Sequence, residues 1–298
     1  MLPVPKAPSI PLPSFLKFRP REGSATPSRL PLSPAARDFS LRSARFFCQL
    51  SVAAYQQSEA QVRYDLTQLG VTRVRMIESR STDTQALVAR APLTTIVAFR
   101  GTEPSKVKDL LTDVSCQLIP GALGMVHRGF WRSLEGIWEQ LCRAVAEVHD
   151  ERSYLWITGH SLGGALAQLA AARLATDSKP VQGIYTFGAP RCGDREFASR
   201  YAKQATGATY RVVNEQDFVP KVAPEILGYQ HAGRFCHFDD AGRLLVDAPS
   251  QGDLVHTLGD AFRMLVDRED DHSLQNGYLP KLNALLSKAE QAAQQRAA

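Results

Sequence analysis

The chain has few cysteines and no pattern among them. Only five of its 298 residues are cysteine, and no two of them have the C-x-x-C spacing; they are Cys48, Cys116, Cys142, Cys192 and Cys236. An odd number without a repeated spacing is not typical of a disulfide framework or of a zinc site. The cysteines therefore predict no metal, and they favour a reducing compartment.

Long apolar runs are also absent. No stretch approaches the roughly 18 consecutive apolar residues of a transmembrane helix, so no such helix is predicted. The first residues, Met1 to Pro8, lack the basic region and the continuous apolar region of a secretory signal. Together with the cysteines, these absences predict a cytoplasmic protein. Peripheral membrane association or targeting through the N-terminal segment stays open as an alternative.

Acidic residues are almost missing from the start of the chain. Up to Arg37, six basic residues and one acidic residue account for the whole net charge of +5, and nine of the eighteen prolines lie in the same stretch. Because the remaining chain is neutral, a nucleic-acid-binding surface on the folded part is not expected. A segment so rich in proline forms neither helix nor sheet. We therefore expect a disordered tail at 1–36, with membrane adhesion or targeting as alternatives, and one domain at 37–298.

Beyond the tail, strand patterns alternate with helix patterns. Three strand patterns come first, and their short links favour antiparallel hairpins; they are Val71–Ile77, Ala86–Ala89 and Thr95–Phe99. A long amphipathic helix is then predicted at Phe130–His149, and further buried strands at Val181–Phe187 and Thr209–Val213. This alternation predicts an α/β fold with a mostly parallel central sheet, antiparallel strands at its N-terminal edge, and helices on both faces.

The central motif is Gly159-His160-Ser161-Leu162-Gly163. It follows an apolar strand pattern and precedes an Ala/Leu-rich helix pattern, which is the setting in which G-x-S-x-G forms a nucleophile elbow. The serine of such an elbow has a strained backbone, and side chains at the two glycine positions would clash across the turn. The sequence therefore predicts that Ser161 is a nucleophile.

An activated serine needs a histidine as base and a carboxylate that orients the histidine. In this setting the acid follows the serine in the chain, and the histidine follows the acid. Asp217 lies after the strand pattern that ends at Val213, where catalytic groups collect in open α/β sheets. Glu215 is its local competitor. Spacing favours Asp217 as the acid but leaves both candidates open.

Four histidines remain as candidate bases: His231, His237, His256 and His272. His237 lies in a short strand pattern, and His256 lies in a helix pattern at Asp253–Val266, so structural roles are expected for both. His272 follows an acidic run in a predicted loop near the end of the domain, and it ranks first.

Hydrolysis by an activated serine also requires donors for an oxyanion. The residue after the nucleophile supplies one backbone N–H, here Leu162. A second donor is expected from the loop after an early strand, and Gly101-Thr102 follows the strand pattern at Thr95–Phe99. Thr102 is therefore the second candidate donor, through its N–H and its hydroxyl.

Seven short motifs follow one another along the chain. They are F-R-G-T at the end of Ile96–Thr102, V-H-R-G-F at Val126–Phe130, G-H-S-L-G-G at Gly159–Gly164, T-F-G-A-P-R at Thr186–Arg191, R-V-V-N-E-Q-D-F-V-P at Arg211–Pro220, G-Y-Q-H at Gly228–His231, and D-H at Asp271-His272. This ordered set resembles the class 3 lipases, the fungal-lipase-like α/β hydrolases. The resemblance implies an α/β-hydrolase fold, a triad of Ser161, Asp217 and His272, and an oxyanion donor at Thr102. It also implies a mobile helical lid, for which Ser105–Ser115 is the candidate.

The resemblance further implies a serine ester hydrolase, a lipase or carboxylesterase that cleaves acyl esters such as acylglycerols through an acyl-enzyme. No cofactor is expected, and the partner is a lipid or other ester, bound at a lipid–water interface through the lid. The protein is taken as a monomer. A phospholipase or acyltransferase on the same triad is the first alternative, and a non-catalytic binding protein on a hydrolase fold is the more remote one.

Overall fold

The centre of the molecule is a twisted sheet of eight strands. The computed structural model describes residues 31–102, 116–179, 181–205, 207–214, 217–239, 241–247 and 269–297. Its strands, in chain order, are β1 (Arg73–Ser79), β2 (Thr84–Ala91), β3 (Thr94–Phe99), β4 (Leu118–Pro120), β5 (Met125–His127), β6 (Tyr154–His160), β7 (Gly183–Phe187), β8 (Gly193–Asp194), β9 (Ala208–Asn214), β10 (Tyr229–Gln230), β11 (Arg234–Phe238) and β12 (Leu244–Val246).

The order in the main sheet is β1-β2-β3-β6-β7-β9-β11-β12. The five strands from β3 to β11 pair in parallel, whereas β1, β2 and β12 pair antiparallel with their neighbours. The predicted fold class is therefore confirmed, including the antiparallel hairpins at the N-terminal edge. The antiparallel β12 at the opposite edge was not predicted, because its short and half-exposed sequence lacks a clear strand pattern.

Helices cover both faces of this sheet. They are α1 (Leu41–Ala53), α2 (Glu59–Thr67), α3 (Arg128–Val148), α4 (Leu162–Thr176), α5 (Arg195–Gln204), α6 (Glu269–His272) and α7 (Leu279–Ala297), with a π-helical turn at Leu274–Tyr278. One apolar core lies under α3, α4 and α5, and the other lies under α1, α2 and α7. Because each face of the sheet has its own core, the central strands are buried on both sides, as their continuous apolar sequences require.

A second, smaller sheet has the order β10-β8-β5-β4. Its strands lie in segments that follow the carboxyl ends of β3, β7 and β9 in the chain. The carboxyl ends of parallel strands meet at one edge of a sheet, which is where ligand sites form in open α/β folds. These strands have only two or three residues each, so their sequences carry no usable periodicity.

The described end of the predicted tail packs against the domain. Leu32 is 2% exposed, and the Trp156 side chain donates a 3.0 Å hydrogen bond to the carbonyl of Pro34. Residues 1–30 lie outside the described residues, so the division into tail and domain stays a prediction. The candidate lid at Ser105–Ser115 and the helix predicted at Asp253–Val266 also lie outside them. None of the described helices is both long and apolar enough to span a membrane.

His127 has a structural role at the start of α3. It is the N-cap residue, and its Nδ1 accepts a hydrogen bond from the backbone N–H of Phe130 at 3.4 Å while the two rings stack with centroids 3.9 Å apart. An acceptor nitrogen must be unprotonated. Burial lowers the pKa of His127 from 6.5 to about 4, which keeps the imidazole neutral in the folded protein.

This depressed pKa predicts that acid destabilises the fold through His127. Above about pH 6.5 the imidazole is neutral in both the folded and the unfolded chain, so pH has no effect through it. Between about pH 6.5 and about pH 4 only the unfolded chain takes up the proton. The free energy of unfolding therefore falls with falling pH, by roughly 1.4 kcal/mol per pH unit for this residue.

Chemical denaturation of wild type and His127→Asn across this pH range measures the effect. Asparagine keeps an N-cap acceptor but does not titrate, and the other histidines contribute equally to both proteins. We expect the wild type to lose stability more steeply than the variant. Equal slopes in the two proteins would contradict the assignment.

Candidate active site

Ser161 occupies the turn between β6 and α4, as the elbow motif predicts. Its backbone is strained, with φ of 55° and ψ of −130°. The two motif glycines are needed for steric reasons. A Cβ on Gly159 would lie 2.2 Å from the carbonyl oxygen of Gly163, and a Cβ on Gly163 would lie 2.3 Å from that of Phe99. The second contact also shows that the end of β3 packs directly against the start of α4.

The Ser161 hydroxyl is fully buried, and no described residue forms a hydrogen bond with it. Its backbone N–H donates to the carbonyl of Phe187 at 2.9 Å, which ties the elbow to the end of β7. A buried hydroxyl normally has a partner. An unpartnered one on a strained backbone costs stability, which is typical of a residue that is kept for its chemistry.

Asp217 and His272 form a hydrogen-bonded pair although they lie 55 residues apart in the chain. Both carboxylate oxygens of Asp217 are 2.9 Å from Nδ1 of His272. Asp217 is 1% exposed, and its Oδ1 also accepts from the backbone N–H of Val219 at 2.9 Å. The competing acid, Glu215, lies outside the described residues.

Tyr278 completes the surroundings of the carboxylate. Its hydroxyl donates to Oδ2 of Asp217 at 2.5 Å and accepts from the backbone N–H of Asn214 at 3.1 Å. Burial, and then the nearby Asp217 charge, raise the pKa of Tyr278 well above its usual value, so the phenol keeps its proton and remains a donor. Sequence reasoning gave Tyr278 no role, because nothing local connects it with a carboxylate that far upstream.

The pairing fixes the tautomer of His272. A carboxylate only accepts hydrogen bonds, so Nδ1 carries the proton and Nε2 of the neutral ring is an acceptor. Nε2 is buried and has no partner among the described residues. No hydrogen bond joins it to the Ser161 hydroxyl in this structure, and catalytic hydrogen bonds are often long before substrate binds.

Gly188 connects the elbow with the acid–base pair. It follows Phe187, whose carbonyl holds the Ser161 N–H, and it has a positive φ of 58°. A Cβ at this position would lie 2.5 Å from Oδ2 of Asp217 and 3.0 Å from Nδ1 of His272. Only glycine therefore leaves room for the pair. The motif at Thr186–Arg191 was noted in the sequence, but its glycine was assigned no role.

The candidate oxyanion donors lie beside the elbow. A Cβ on Gly101 would be 2.4 Å from the carbonyl of His160 and 3.0 Å from Cβ of Ser161. Thr102, the next residue, is partly exposed, and Leu162 is the first residue of α4. N–H groups in the first turn of a helix have no partner within the helix, so the Leu162 N–H suits an oxyanion.

The remaining histidines have other roles or lie outside the described residues. Nε2 of His231 is 2.8 Å from the carbonyl of Pro220, and burial lowers the pKa of His231 well below its usual value. His237 is buried in β11 and stacks on Phe235. His256 lies outside the described residues. Within those residues there is also no cluster of histidine, cysteine and acidic side chains that could hold a metal.

The model of the class 3 lipase family matches residues 96–227. This stretch of the chain is similar to the class 3 lipase family. The match covers the strand before Thr102, the elbow and Asp217, and it confirms the resemblance seen in the motifs. His272 lies beyond the matched residues.

Two proteins similar to this chain are named secreted mono- and diacylglycerol lipases. The one from Fusarium solani is 36% identical over 46% of this chain and 41% of its own length, and the one from Malassezia restricta is 30% identical over 60% and 57%. The chain thus spans about half the length of these relatives. A solved triacylglycerol lipase, described as having a serine protease triad as its catalytic centre, has a TM-score of 0.60 and 25% identity, over 71% of this chain and 85% of that one.

The prediction of a cytoplasmic protein is wrong. Both relatives are named secreted lipases, which points to an extracellular rather than a cytoplasmic location. The five free cysteines misled the prediction. Four of them are buried, and burial raises the pKa of Cys142, Cys192 and Cys236 to about 12. Because the thiolate is the reactive form, such thiols also persist in an oxidising compartment.

Proposed function

We propose that this protein is a serine ester hydrolase of the lipase or carboxylesterase type, which cleaves acyl esters such as acylglycerols. One observation carries the proposal. A buried Asp217 holds Nδ1 of His272 and leaves Nε2 as a free acceptor, in the same site as a buried and unpartnered serine hydroxyl on a strained turn. This is the set of groups that acyl transfer requires.

The first half of the reaction forms an acyl-enzyme. Oγ of Ser161 attacks the ester carbonyl carbon, and Nε2 of His272 accepts the serine proton. Asp217 stabilises the resulting imidazolium through its contact with Nδ1. The carbonyl oxygen becomes an oxyanion, for which the N–H groups of Thr102 and Leu162 are the proposed donors. The C–O bond then breaks, and the imidazolium returns the proton to the leaving alcohol.

The second half of the reaction releases the acid. Water attacks the acyl carbonyl while Nε2 of His272 takes one of its protons, and the same N–H groups hold the second oxyanion. The bond to Oγ of Ser161 breaks, the imidazolium gives its proton to Oγ, and a free fatty acid leaves. No group outside this chain is needed apart from water.

Two observations support an acylglycerol substrate. The relatives are named for mono- and diacylglycerol hydrolysis, and Ser161 has no exposed surface. A substrate therefore reaches the hydroxyl only after part of the chain moves, as in lipases that are activated at a lipid–water interface. We propose interfacial binding on this basis, with the candidate lid at Ser105–Ser115 outside the described residues.

Covalent labelling and an ester series test the proposal together. We expect a fluorophosphonate probe to label the purified protein at Ser161, as located by peptide mass spectrometry, and p-nitrophenyl and glycerol esters to be hydrolysed. Each ester is assayed below and above its solubility limit, where a rate increase at the limit supports a lipase.

The same assays separate the alternatives. Faster cleavage of phosphatidylcholine than of diacylglycerol would favour a phospholipase, and acyl transfer to an added alcohol in preference to water would favour an acyltransferase. A folded protein that neither reacts with the probe nor cleaves any ester would contradict the proposal. That outcome would favour a binding protein on a hydrolase fold.

A further inference from the structure

The side chain of His160 lies between a tyrosine and the backbone of His272. Its Nδ1 is 2.8 Å from the hydroxyl of Tyr55, and its Nε2 is 2.7 Å from the carbonyl oxygen of His272. The two imidazole rings lie with their centroids 4.4 Å apart. His160 directly precedes Ser161 in the chain, so these contacts link the elbow to the candidate base by a route that does not involve Asp217.

The direction of each hydrogen bond follows from the groups involved. A carbonyl oxygen only accepts, so Nε2 of His160 carries a proton. Burial, followed by the neighbouring His272, lowers the pKa of His160 well below its usual value, and the ring is therefore neutral. A neutral imidazole has one proton, so Nδ1 is bare and accepts the proton of the Tyr55 hydroxyl.

The same tyrosine contacts the strand end that precedes Thr102. A Cβ on Gly101 would lie 2.3 Å from the Tyr55 hydroxyl oxygen. Burial raises the pKa of Tyr55, and a hydrogen bond from the Gly101 backbone partly opposes this shift. The phenol therefore keeps its proton, lies against the backbone of Gly101 and donates to His160. Tyr55 thus contacts the loop of the candidate oxyanion donor directly and is linked to the candidate base through His160.

Tyr55 is itself held in place by buried groups. It follows α1, and the side-chain amide of Gln85 donates to the carbonyls of both its neighbours, to Ala54 at 3.1 Å and to Gln56 at 2.8 Å. Oε1 of Gln85 faces the Arg100 guanidinium at 3.5 Å, and Arg100 directly precedes Gly101. Gln85 on β2 therefore contacts both neighbours of Tyr55 and the residue that precedes Gly101.

We propose that Tyr55 and His160 are positioning residues, which hold the loop at Gly101-Thr102 and the backbone of His272 at a fixed separation across Ser161. The proposal rests on the ester hydrolase function proposed above. The Tyr55 hydroxyl packs against Gly101 and donates to His160, and His160 donates to the carbonyl of His272. Neither side chain exchanges a proton with substrate.

Loss of this alignment is expected to lower kcat and to leave KM nearly unchanged. The oxyanion and the imidazolium both form only in the transition state, and groups displaced by a fraction of an ångström stabilise them less. Tyr55→Phe removes the hydroxyl and keeps the ring. We expect its kcat to fall about tenfold to a hundredfold, with KM within about twofold of wild type.

A comparison of alkyl and p-nitrophenyl esters shows whether a substitution displaces the oxyanion donor or His272. A displaced oxyanion donor slows both kinds of ester, whereas a displaced His272 slows alkyl esters more, because only a poor leaving group needs the returned proton. Since Tyr55 contacts Gly101 directly and is linked to His272 through His160, we expect Tyr55→Phe to slow both kinds of ester and to slow alkyl esters more.

Tyr201→Phe is the matched control for Tyr55→Phe. Tyr201 is buried, and its hydroxyl lies 2.7 Å from Oγ1 of Thr209, a hydrogen bond that involves none of the residues assigned to the site above. We expect this variant to have the wild-type kcat. His160→Gln and His160→Leu form a second pair, in which glutamine keeps a donor and an acceptor and leucine keeps neither. Activity should be at least partly retained in His160→Gln and should be lower in His160→Leu.

The proposal is overturned if kcat of Tyr55→Phe stays within twofold of wild type, or if His160→Leu is as active as His160→Gln. It is also overturned if Tyr55→Phe and Tyr201→Phe lose activity equally. A wild-type protein without any ester hydrolysis would instead reject the proposed function, so the two failures are distinguishable.

Discussion

Replacement of Ser161 by alanine is expected to lower kcat for p-nitrophenyl esters by about 10⁶-fold. The variant keeps Asp217, His272 and the candidate oxyanion donors but has no atom that forms the acyl bond. Activity that remains then comes from binding and oxyanion stabilisation of a water attack. Initial rates and fluorophosphonate labelling of the purified variant measure the loss. A decrease of less than about tenfold would reject Ser161 as the nucleophile.

The stability of Ser161→Ala separates loss of chemistry from loss of fold. The hydroxyl is buried and makes no hydrogen bond with a described residue, so its removal breaks no contact and relieves an unsatisfied polar group. We expect the free energy of unfolding to stay the same or to rise by up to about 1 kcal/mol. Ser153→Ala is the matched control, since this hydroxyl is also buried without a described partner, next to the opposite end of β6. It should leave kcat unchanged.

Asp217→Asn is expected to lower kcat by about 10⁴-fold, with little change in KM. The carboxylate faces donors at three positions: Nδ1 of His272, the hydroxyl of Tyr278 and the N–H of Val219. An amide must direct its own NH₂ group to one of these positions. If this group faces His272, the proton moves to Nε2, and the ring can no longer accept the serine proton. Steady-state kinetics on an alkyl ester measures the effect.

Asp271→Asn is the control for the loss of a negative charge in the same region. Its Oδ1 accepts a 3.0 Å hydrogen bond from the Asn214 side chain, and Asp271 directly precedes His272 in the chain. We expect kcat to change less than about tenfold, because Nδ1 of His272 remains paired with Asp217. Equal losses in the two variants would show that net charge, rather than the tautomer of His272, governs the reaction.

The elbow is the feature that the sequence predicted most completely. Its requirements are local: a strand, a serine on a strained turn and a helix within eleven residues, with glycines where the backbone leaves no space. The parallel sheet was predictable for a similar reason, since strands buried on both faces have continuous apolar sequences. The long helix α3 begins and ends within two residues of its predicted bounds.

The choice between candidate partners of Ser161 was less certain from the residues alone. From spacing alone, Glu215 remained a candidate acid beside Asp217, and four histidines remained candidate bases. The reason is that distance along the chain says little about distance in space. The ordered motifs of the class 3 lipases narrowed this choice before the structure did. The structure adds the contact itself, in which both oxygens of Asp217 lie 2.9 Å from His272.

Contacts between distant segments decided the rest of the site. Tyr278 lies 61 residues from Asp217, and Tyr55 lies 105 residues from His160. Neither pair has a local sequence signal, because a buried tyrosine in a helix pattern is expected to be core. Gly188 is similar, since its need for glycine comes from Asp217 and His272 rather than from its own turn alone.

The sequence by itself determined that a strained serine lies between a strand and a helix in an α/β sheet, because those elements follow from local periodicity and the shape of one turn. Only the tertiary structure decided which groups surround that serine and which nitrogens of the neighbouring histidines carry a proton. Folding brings a buried carboxylate to one nitrogen of His272 and a carbonyl of the same residue to His160. The tautomers follow from these contacts, and periodicity contains no information about them.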